Sequence, residues 1–471
     1  MRRASRKGGR SQMEKRTADS KTSWWRWIGL LLSVFYLAFA LLDGAHTYPD
    51  SESYMTMSFA REPMYPLFLG LLRLLFGRWG EGAWLRAAVV AQSLLAAWAA
   101  WAFARGCSKL FKLSRPGDLA VTLCAVLPSL MCRFAANRRM MYSCSILSEA
   151  LAMPLFLVFF LCLLRLALEG GRRPAWEAAL LSFVLISVRK QMLITLPLLV
   201  LTLLVRGWRE RRFPARLAAA LLLTAGVLLA NTALDRGYNY VLRGEAVRHT
   251  GDTRFITTVL LYNARPGDGE HIEDEELRAL YEQIIRKADE NRYLGLYAPK
   301  DWFGRTDYFG SHYDHIQFLC LRDTAQAYAR QKLGADEDAV SRELDRINDG
   351  LNAALLPVEK TRLLRTACDN FGEGLVTTVL AMKRILVPAA AALYLALLGL
   401  LLVCARKKRG RETVFALLCL AAIGANLALV SLTIFCQARY TIYNMPIFYT
   451  ALFLLARGAL QKTPLRAGEK G

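Results

Sequence analysis

The chain has 471 residues, 54% of them hydrophobic, with a mean hydropathy of +0.25 and a formal net charge of +22. Apolar runs of roughly 20 residues recur along it, the length a helix needs to cross a bilayer core, which excludes a soluble domain built on one large core. The charge does not form a nucleic-acid-binding surface: residues 235–374 carry 19 Lys+Arg against 25 Asp+Glu, and the basic excess lies elsewhere, 42 against 14.

A basic tail (1–23) leads into an apolar segment at 24–42, read as an uncleaved signal anchor because further spans follow. Those spans are expected at 83–104, 119–134, 147–168, 175–188, 192–205, 216–234, 375–404, 413–436 and 440–456. The fold class is therefore an all-α polytopic membrane protein with about ten transmembrane helices, although 175–205 also reads as one interrupted span. Residues 24–234 form an N-terminal membrane module, 375–456 a C-terminal one and 457–471 a second tail. Alternation from a cytoplasmic N-terminus puts the basic connectors 105–115, 170–174, 206–216 and 406–411 inside, with both termini. Anionic lipid head groups, not nucleic acid, are the partners this pattern predicts.

The same alternation places the first loop (43–82), the short turns 137–149, 188–191 and 437–440, and the segment 235–374 outside. That last segment is too long for a plain connector. Helical-looking stretches at 274–290 and 336–349, separated by turn signals such as "RPGDG", predict a small, mostly helical extracytoplasmic domain. All five histidines also fall outside. Cys320 and Cys368 share the outer segment, and their pairing stays open.

The first loop is the most informative stretch. Its "PMYPLFLGLLRLLFG" (63–77) is apolar but short for a span, and reads as a helix lying at the interface. Before it, "DSESYMTMSFAR" (50–61) can make three helical turns, with Asp50, Tyr54 and Arg61 on one face and Glu52 elsewhere. The plainer alternative makes Asp50 a helix N-cap. Glu149 opens the fourth span, where a carboxylate is costly unless paired or facing a wet cavity. Complementing the helix dipole is its plainer role, and Arg138 and Arg139 in the same turn are candidate partners. Arg189, Lys190 and Gln191 interrupt an apolar stretch, and Arg439 with Tyr440 does so between the last two spans. One such cation is ordinary snorkelling, whereas several cations and two acids at one membrane face point to a single polyanion site. His312 and His315, with Asp314 between them, have the spacing of a weak metal motif or of an exposed polar turn. No Walker loop, HExxH or dinucleotide fingerprint occurs.

With these residues in view, the chain resembles the polytopic GT-C glycosyltransferases, especially bacterial relatives of the lipid-phosphate-sugar-dependent protein mannosyltransferases and aminoarabinose transferases. The resemblance rests on "DSE…Y…REPMYPLFL" in the first outer loop, "LSEAL", "VRKQ" before a "LPLLV" span, and "ARY…MP" before the last span. It implies a GT-C-like bundle in a bacterial-type plasma membrane that transfers a sugar from a polyprenyl-phosphate donor to an acceptor hydroxyl outside, with inversion. The acceptor would be a glycan, lipid or protein. It gives Asp50 the role of base, with Glu52 as second choice and Glu149 as the third candidate catalytic acid. The candidate donor-phosphate ligands are Arg189, Lys190, Arg439 and Tyr440, then Arg61, Arg138 and Arg139. A divalent metal ion can assist such chemistry, but no ligand set stands out. The large outer domain is inserted before the last spans, unlike the family's usual arrangement. The competing readings are a lipid-linked glycan flippase or transporter, a glycan polymerase or ligase, and a structural envelope protein.

Overall fold

The computed structural model describes residues 2–135, 140–380 and 387–461. Helix α1 (Arg2–Asp43) is followed by the short α2 (Pro49–Met55), α3 (Met64–Phe76) and the long α4 (Glu81–Phe111). Next come α5 (Arg115–Leu130), α6 (Glu149–Leu168), α7 (Arg172–Val188), α8 (Thr195–Arg209) and α9 (Phe213–Arg243). The polar segment adds α10 (Arg254–Asn263), α11 (Glu275–Glu290), α12 (Trp302–Asp314), α13 (Asp323–Leu333) and the start of α14 (Glu337–Leu380). The chain ends with α15 (Val387–Arg406), α16 (Gly410–Thr433), the single turn α17 (Ala438–Thr441) and α18 (Met445–Leu460). No strand occurs among the described residues, and one parallel bridge joins His46 to Ser145.

Eight helices among the described residues are long and apolar enough to cross a membrane, so the protein is a helical, multi-pass membrane protein. The expected spans at 175–188 and 440–456 are the helices α7 and α18, of 17 and 16 residues. At 1.5 Å per residue they reach only about 26 and 24 Å, less than the roughly 30 Å core. The turns at 189–194 and 434–444 that adjoin them are packed largely inside protein. Non-helical backbone at membrane depth is tolerated under that condition. Of the expected span 375–404, α14 is described up to Leu380 and α15 from Val387, and residues 381–386 lie outside the described residues.

Packing inside the bundle depends on small residues, as expected where lipid removes the hydrophobic drive between helices. Alanines 97, 100 and 104 of α4 are buried among α1, α5 and α6. Gly106 lets α4 meet α6, since a Cβ there would lie 2.5 Å from Leu161 Cδ1. Gly374 does the same for α14 against α16, with Leu427 Cδ2 2.6 Å from the position a Cβ would take. Leu221, Leu222 and Leu229 of α9 and Leu395 and Leu402 of α15 are exposed, which suits helices facing lipid. Helix α3 buries Tyr65, Pro66 and Leu69 while exposing Leu67, Leu71, Leu74 and Leu75, the two-sided pattern of an interfacial helix.

The polar segment has its own core, in which Leu260, Ile284, Tyr313, Ile316, Leu351 and Leu355 are almost fully buried. Asp274 starts α11 by accepting a hydrogen bond from the Leu277 N–H at 3.0 Å. The borders expected at 234/235 and 374/375 fall inside α9 and α14, which run unbroken from the bundle into this domain. The 44 residues of α14 span about 66 Å, so one rod ties domain to bundle. No disulfide forms among the described residues; Cys320 is buried and Cys368 exposed, and the two do not pair.

Candidate functional site

The site lies where the polar domain meets the bundle, and it begins with a chain reversal. The expected three-turn helix over 50–61 does not form, because α2 ends at Met55. Met57 adopts a left-handed φ of 54°, and the Ser58 N–H returns to the Ser53 carbonyl at 2.9 Å. A guanidinium donor of Arg243, from the end of α9, holds the Met57 carbonyl at 2.8 Å. This reversal brings Arg61 back against α2 from the C-terminal side. Arg61 donates to Ser53 Oγ at 2.7 Å, to the Tyr54 hydroxyl at 3.3 Å and to Asp50 Oδ1 at 2.8 Å. Asp50 is not the N-cap; Tyr48 is, with its N–H donating to Ser51 Oγ at 2.8 Å.

A second contact set draws the other loops to the same place. The His46–Ser145 bridge pins the first loop to the turn before α6. Tyr54 Oη lies 3.1 Å from Ser148 Oγ, beside Glu149. Arg189 follows the end of α7 with an extended backbone (φ −161°) that lets its side chain turn inward. It donates to Ser148 Oγ at 3.1 Å and Gln191 Oε1 at 3.0 Å, and its guanidinium lies 3.0 Å from Glu149 Oε1. Arg439 completes the row, 3.4 Å from Asp50 Oδ2 and 3.8 Å from Glu149 Oε1. Five charges from distant segments therefore alternate in sign: Arg61, Asp50, Arg439, Glu149, Arg189.

Neutral side chains fix this row. Gln191 donates to the Tyr440 carbonyl and to Asn426 Oδ1, both at 2.7 Å, and Asn426 also donates to the Tyr440 carbonyl at 2.9 Å. These bonds lock the 189–191 turn to the 437–440 turn. The Tyr440 ring lies beneath both guanidiniums, 5.2 Å from Arg189 and 4.7 Å from Arg439. The two carboxylates differ in access. Glu149 is sealed, with 2% of its side chain exposed, whereas Asp50 shows 37%. Burial by itself would push Asp50 up, but Arg61 and Arg439 outweigh it and hold the carboxyl below its usual value. Asp50 is thus ionised at neutral pH and partly open to solvent.

A cavity of about 500 Å³ adjoins the reversal, lined by residues 56–60, Arg243, Arg254 and Asp345. Arg254, at the start of α10, makes no ion pair with any described residue. It is close enough to Asp50 to lower the carboxyl further. A narrower space of about 50 Å³ reaches Glu149 from within the bundle, between Tyr36, Tyr142 and Tyr443.

Beside the row lies an acid–histidine cluster with no sequence motif. Glu62, next to Arg61, points the other way and accepts from the Lys190 N–H at 2.6 Å. Ligand atoms of Glu62, His249 and Asp252 lie within 4.8 Å of one another. Asp235 orients the His249 ring through Nδ1 at 2.8 Å, leaving Nε2 toward Asp252 at 3.2 Å. Two carboxylates and an imidazole, with a third carboxylate orienting the ring, form a donor set that fits a divalent cation. Burial opposes a charge on His249, but hydrogen bonds to Asp235 and Asp252 raise it to about 10. Asp252 is held at about 2 by His249 and Lys190 despite its burial. Lys190 Nζ sits 3.0 Å from Asp252, so this cation serves the cluster rather than the Asp50–Glu149 row.

Of the remaining expected residues, Glu52 is exposed and makes no ion pair with any described residue. Arg138 and Arg139 lie outside the described residues. His312 and His315 stack on Tyr308 and Tyr293, with ring centroids 4.0 and 4.9 Å apart, and converge with no third ligand among the described residues. Their spacing serves aromatic packing. Ser148, Asn426, Arg254, Glu62 and His249 join or border the site without having been singled out in the sequence, whereas Gln191 stood out with Arg189 and Lys190 in "VRKQ". Comparison of the chain with protein-family models, with curated proteins and with solved structures finds no match.

Proposed function

We propose that the protein is a GT-C-type membrane glycosyltransferase that moves a sugar from a polyprenyl-phosphate donor to an acceptor hydroxyl on the extracytoplasmic face. The observation that carries this reading is the alternating row, with its one accessible carboxylate between two arginines at the domain end of the bundle. Asp50, ionised and open to the outside, takes the proton of the acceptor hydroxyl as its oxygen attacks the anomeric carbon. The bond from that carbon to the phosphate oxygen breaks, and its electron pair stays on the phosphate. Arg61, Arg439 and Arg254 meet that growing charge, the arginines with planar forks suited to phosphate oxygens. Binding the donor phosphate draws Arg61 and Arg439 off Asp50, and the carboxylate becomes a stronger base as they leave.

Glu149 and Arg189 act as positioning residues in this reading. The sealed pair orients Arg439 and the Tyr440 ring while remaining out of reach of substrate. Glu62, His249 and Asp252 would hold a divalent cation, which supplies charge neutralisation near phosphate when bound. The test is a donor screen. Membranes enriched in the protein are given polyprenyl phosphates carrying different labelled hexoses, pentoses or aminopentoses, and release of polyprenyl phosphate is followed. Release from at least one donor is expected. No release from any of them, with the protein folded and present, refutes the reading.

A further inference from the structure

At the far end of α10 a second cavity, of about 240 Å³, opens between α10, α12 and α14. Arg254 begins α10 and Asn263 ends it, so the two cavities are separated by about 14 Å of helix. The walls of the second carry five cations, Arg265, Lys300, Arg305, Arg362 and Arg365, against one carboxylate, Asp369. That carboxylate is already satisfied, because Arg305 grips both its oxygens at 2.6 and 2.8 Å. Arg362 gives one amino group to Asp268 at 2.5 Å, and its Nε is buried with no hydrogen bond to any described residue. Arg265, Lys300 and Arg365 are exposed and make no ion pair with any described residue. A concave site with this surplus focuses positive potential and favours an anion. Guanidinium forks favour phosphate in particular.

Its depth narrows the source. Asn370 at its floor donates to the Ile434 carbonyl at 2.7 Å and accepts from the Cys436 N–H at 2.7 Å. The floor is therefore level with the end of the membrane-crossing α16. Arg365 and Arg362 stand five and eight residues up α14, about 8 and 12 Å higher, within reach of the head-group layer above the hydrocarbon core. The segments that form the mouth expose Leu296, Phe303 and Leu364, apolar side chains that suit contact with lipid.

We propose that this pocket binds the phosphate of a membrane lipid head group, as an anionic-lipid site separate from the Asp50–Arg439 row. Nothing in it depends on the glycosyltransferase reading, since no residue is shared between the two sites. The lipid presents its phosphate to Arg365, Lys300 and Arg265 from the side. Its glycerol or prenyl portion lies along the exposed apolar rim.

The test uses the full chain in a neutral detergent and calorimetric titration with three probes. These are dihexanoyl phosphatidic acid, dihexanoyl phosphatidylcholine and inorganic phosphate. Phosphatidic acid is expected to bind most tightly. Replacing Arg265→Gln, Lys300→Gln and Arg365→Gln together is expected to weaken it by about a hundredfold, roughly fivefold for each cation removed. A control carrying Arg209→Gln, Arg211→Gln and Arg212→Gln, three exposed cations at the other end of the bundle, is expected to bind as the unmodified chain does. Undiminished binding by the pocket variant, or equal loss in the control, overturns the site. Inorganic phosphate binding as tightly as phosphatidic acid overturns the lipid assignment in favour of a soluble phosphate. Circular dichroism of each variant separates loss of the site from loss of the fold.

Discussion

Glu149→Gln isolates the central ion pair with little change in shape. The substitution keeps the side-chain volume but removes the charge facing Arg189 at 3.0 Å. Arg189 is then left 14% exposed with two neutral acceptors, Ser148 Oγ and Gln191 Oε1, and no carboxylate. Removing one partner of a buried pair costs about 3–5 kcal/mol. The two remaining hydrogen bonds and the Tyr440 ring put this case at the lower end, about 3 kcal/mol. Thermal or SDS-driven unfolding of the detergent-solubilised protein, followed by tryptophan fluorescence, reads the loss. Combining Glu149→Gln with Arg189→Met removes the stranded charge and is expected to recover most of it, giving a double-mutant coupling of about 2 kcal/mol or more. Glu149→Gln as stable as the unmodified chain, or a double variant with purely additive loss, refutes the buried-pair account.

Gly374→Val should separate α14 from α16, because its Cβ would meet Leu427 and Cys436 Sγ at 2.6 and 3.0 Å. A loss of about 1–3 kcal/mol is expected in the same unfolding assay. Glu359 is wholly buried, and burial, with Asp268 adding to it against Arg362, raises its carboxyl to about 8. Its folded value exceeds the unfolded 4.5, so its stabilising contribution is complete below about pH 4.5 and is lost as pH rises through about 8. Glu359→Gln should therefore flatten the stability profile between those limits, gaining a few kcal/mol over the unmodified chain at about pH 9. For the acid–histidine cluster, elemental analysis after dialysis against a divalent metal should show about one ion fewer per chain in Glu62→Gln combined with Asp252→Asn. An unchanged metal content would remove the cluster from consideration as a metal site.

Much of the site was legible in the sequence because the membrane makes charge expensive. Asp50, Glu149, Arg189 and Arg439 stood out as charges at span ends, and the fold gathers all four into one row. Arg61 also faces Asp50 as expected, but for a different reason: the left-handed turn at Met57 brings it back, not a continuous helix face. Helical periodicity cannot foresee a reversal held by Arg243, 186 residues away. His249 was invisible for a related reason. Its neighbours Asp235, Asp252 and Glu62, with the Lys190 that pairs with Asp252, come from three segments, while the conspicuous His312 and His315 spend their rings on tyrosines. Helix existence in the bundle was readable from apolar runs. The short α7 and α18, of 17 and 16 residues, were likewise readable as the short runs 175–188 and 440–456.

The most direct test of the catalytic reading compares Asp50→Asn with Arg439→Gln in single-donor kinetics, using the polyprenyl-phosphate sugar found active in the screen. Loss of the base should lower kcat by about 10²–10⁴-fold with KM little changed. Loss of Arg439 should raise KM as well as lower kcat, since it meets both the ground-state phosphate and the leaving group. Asp50→Asn turning over at the unmodified rate would contradict the assignment of Asp50 as the base and, with it, the proposed chemistry of the row.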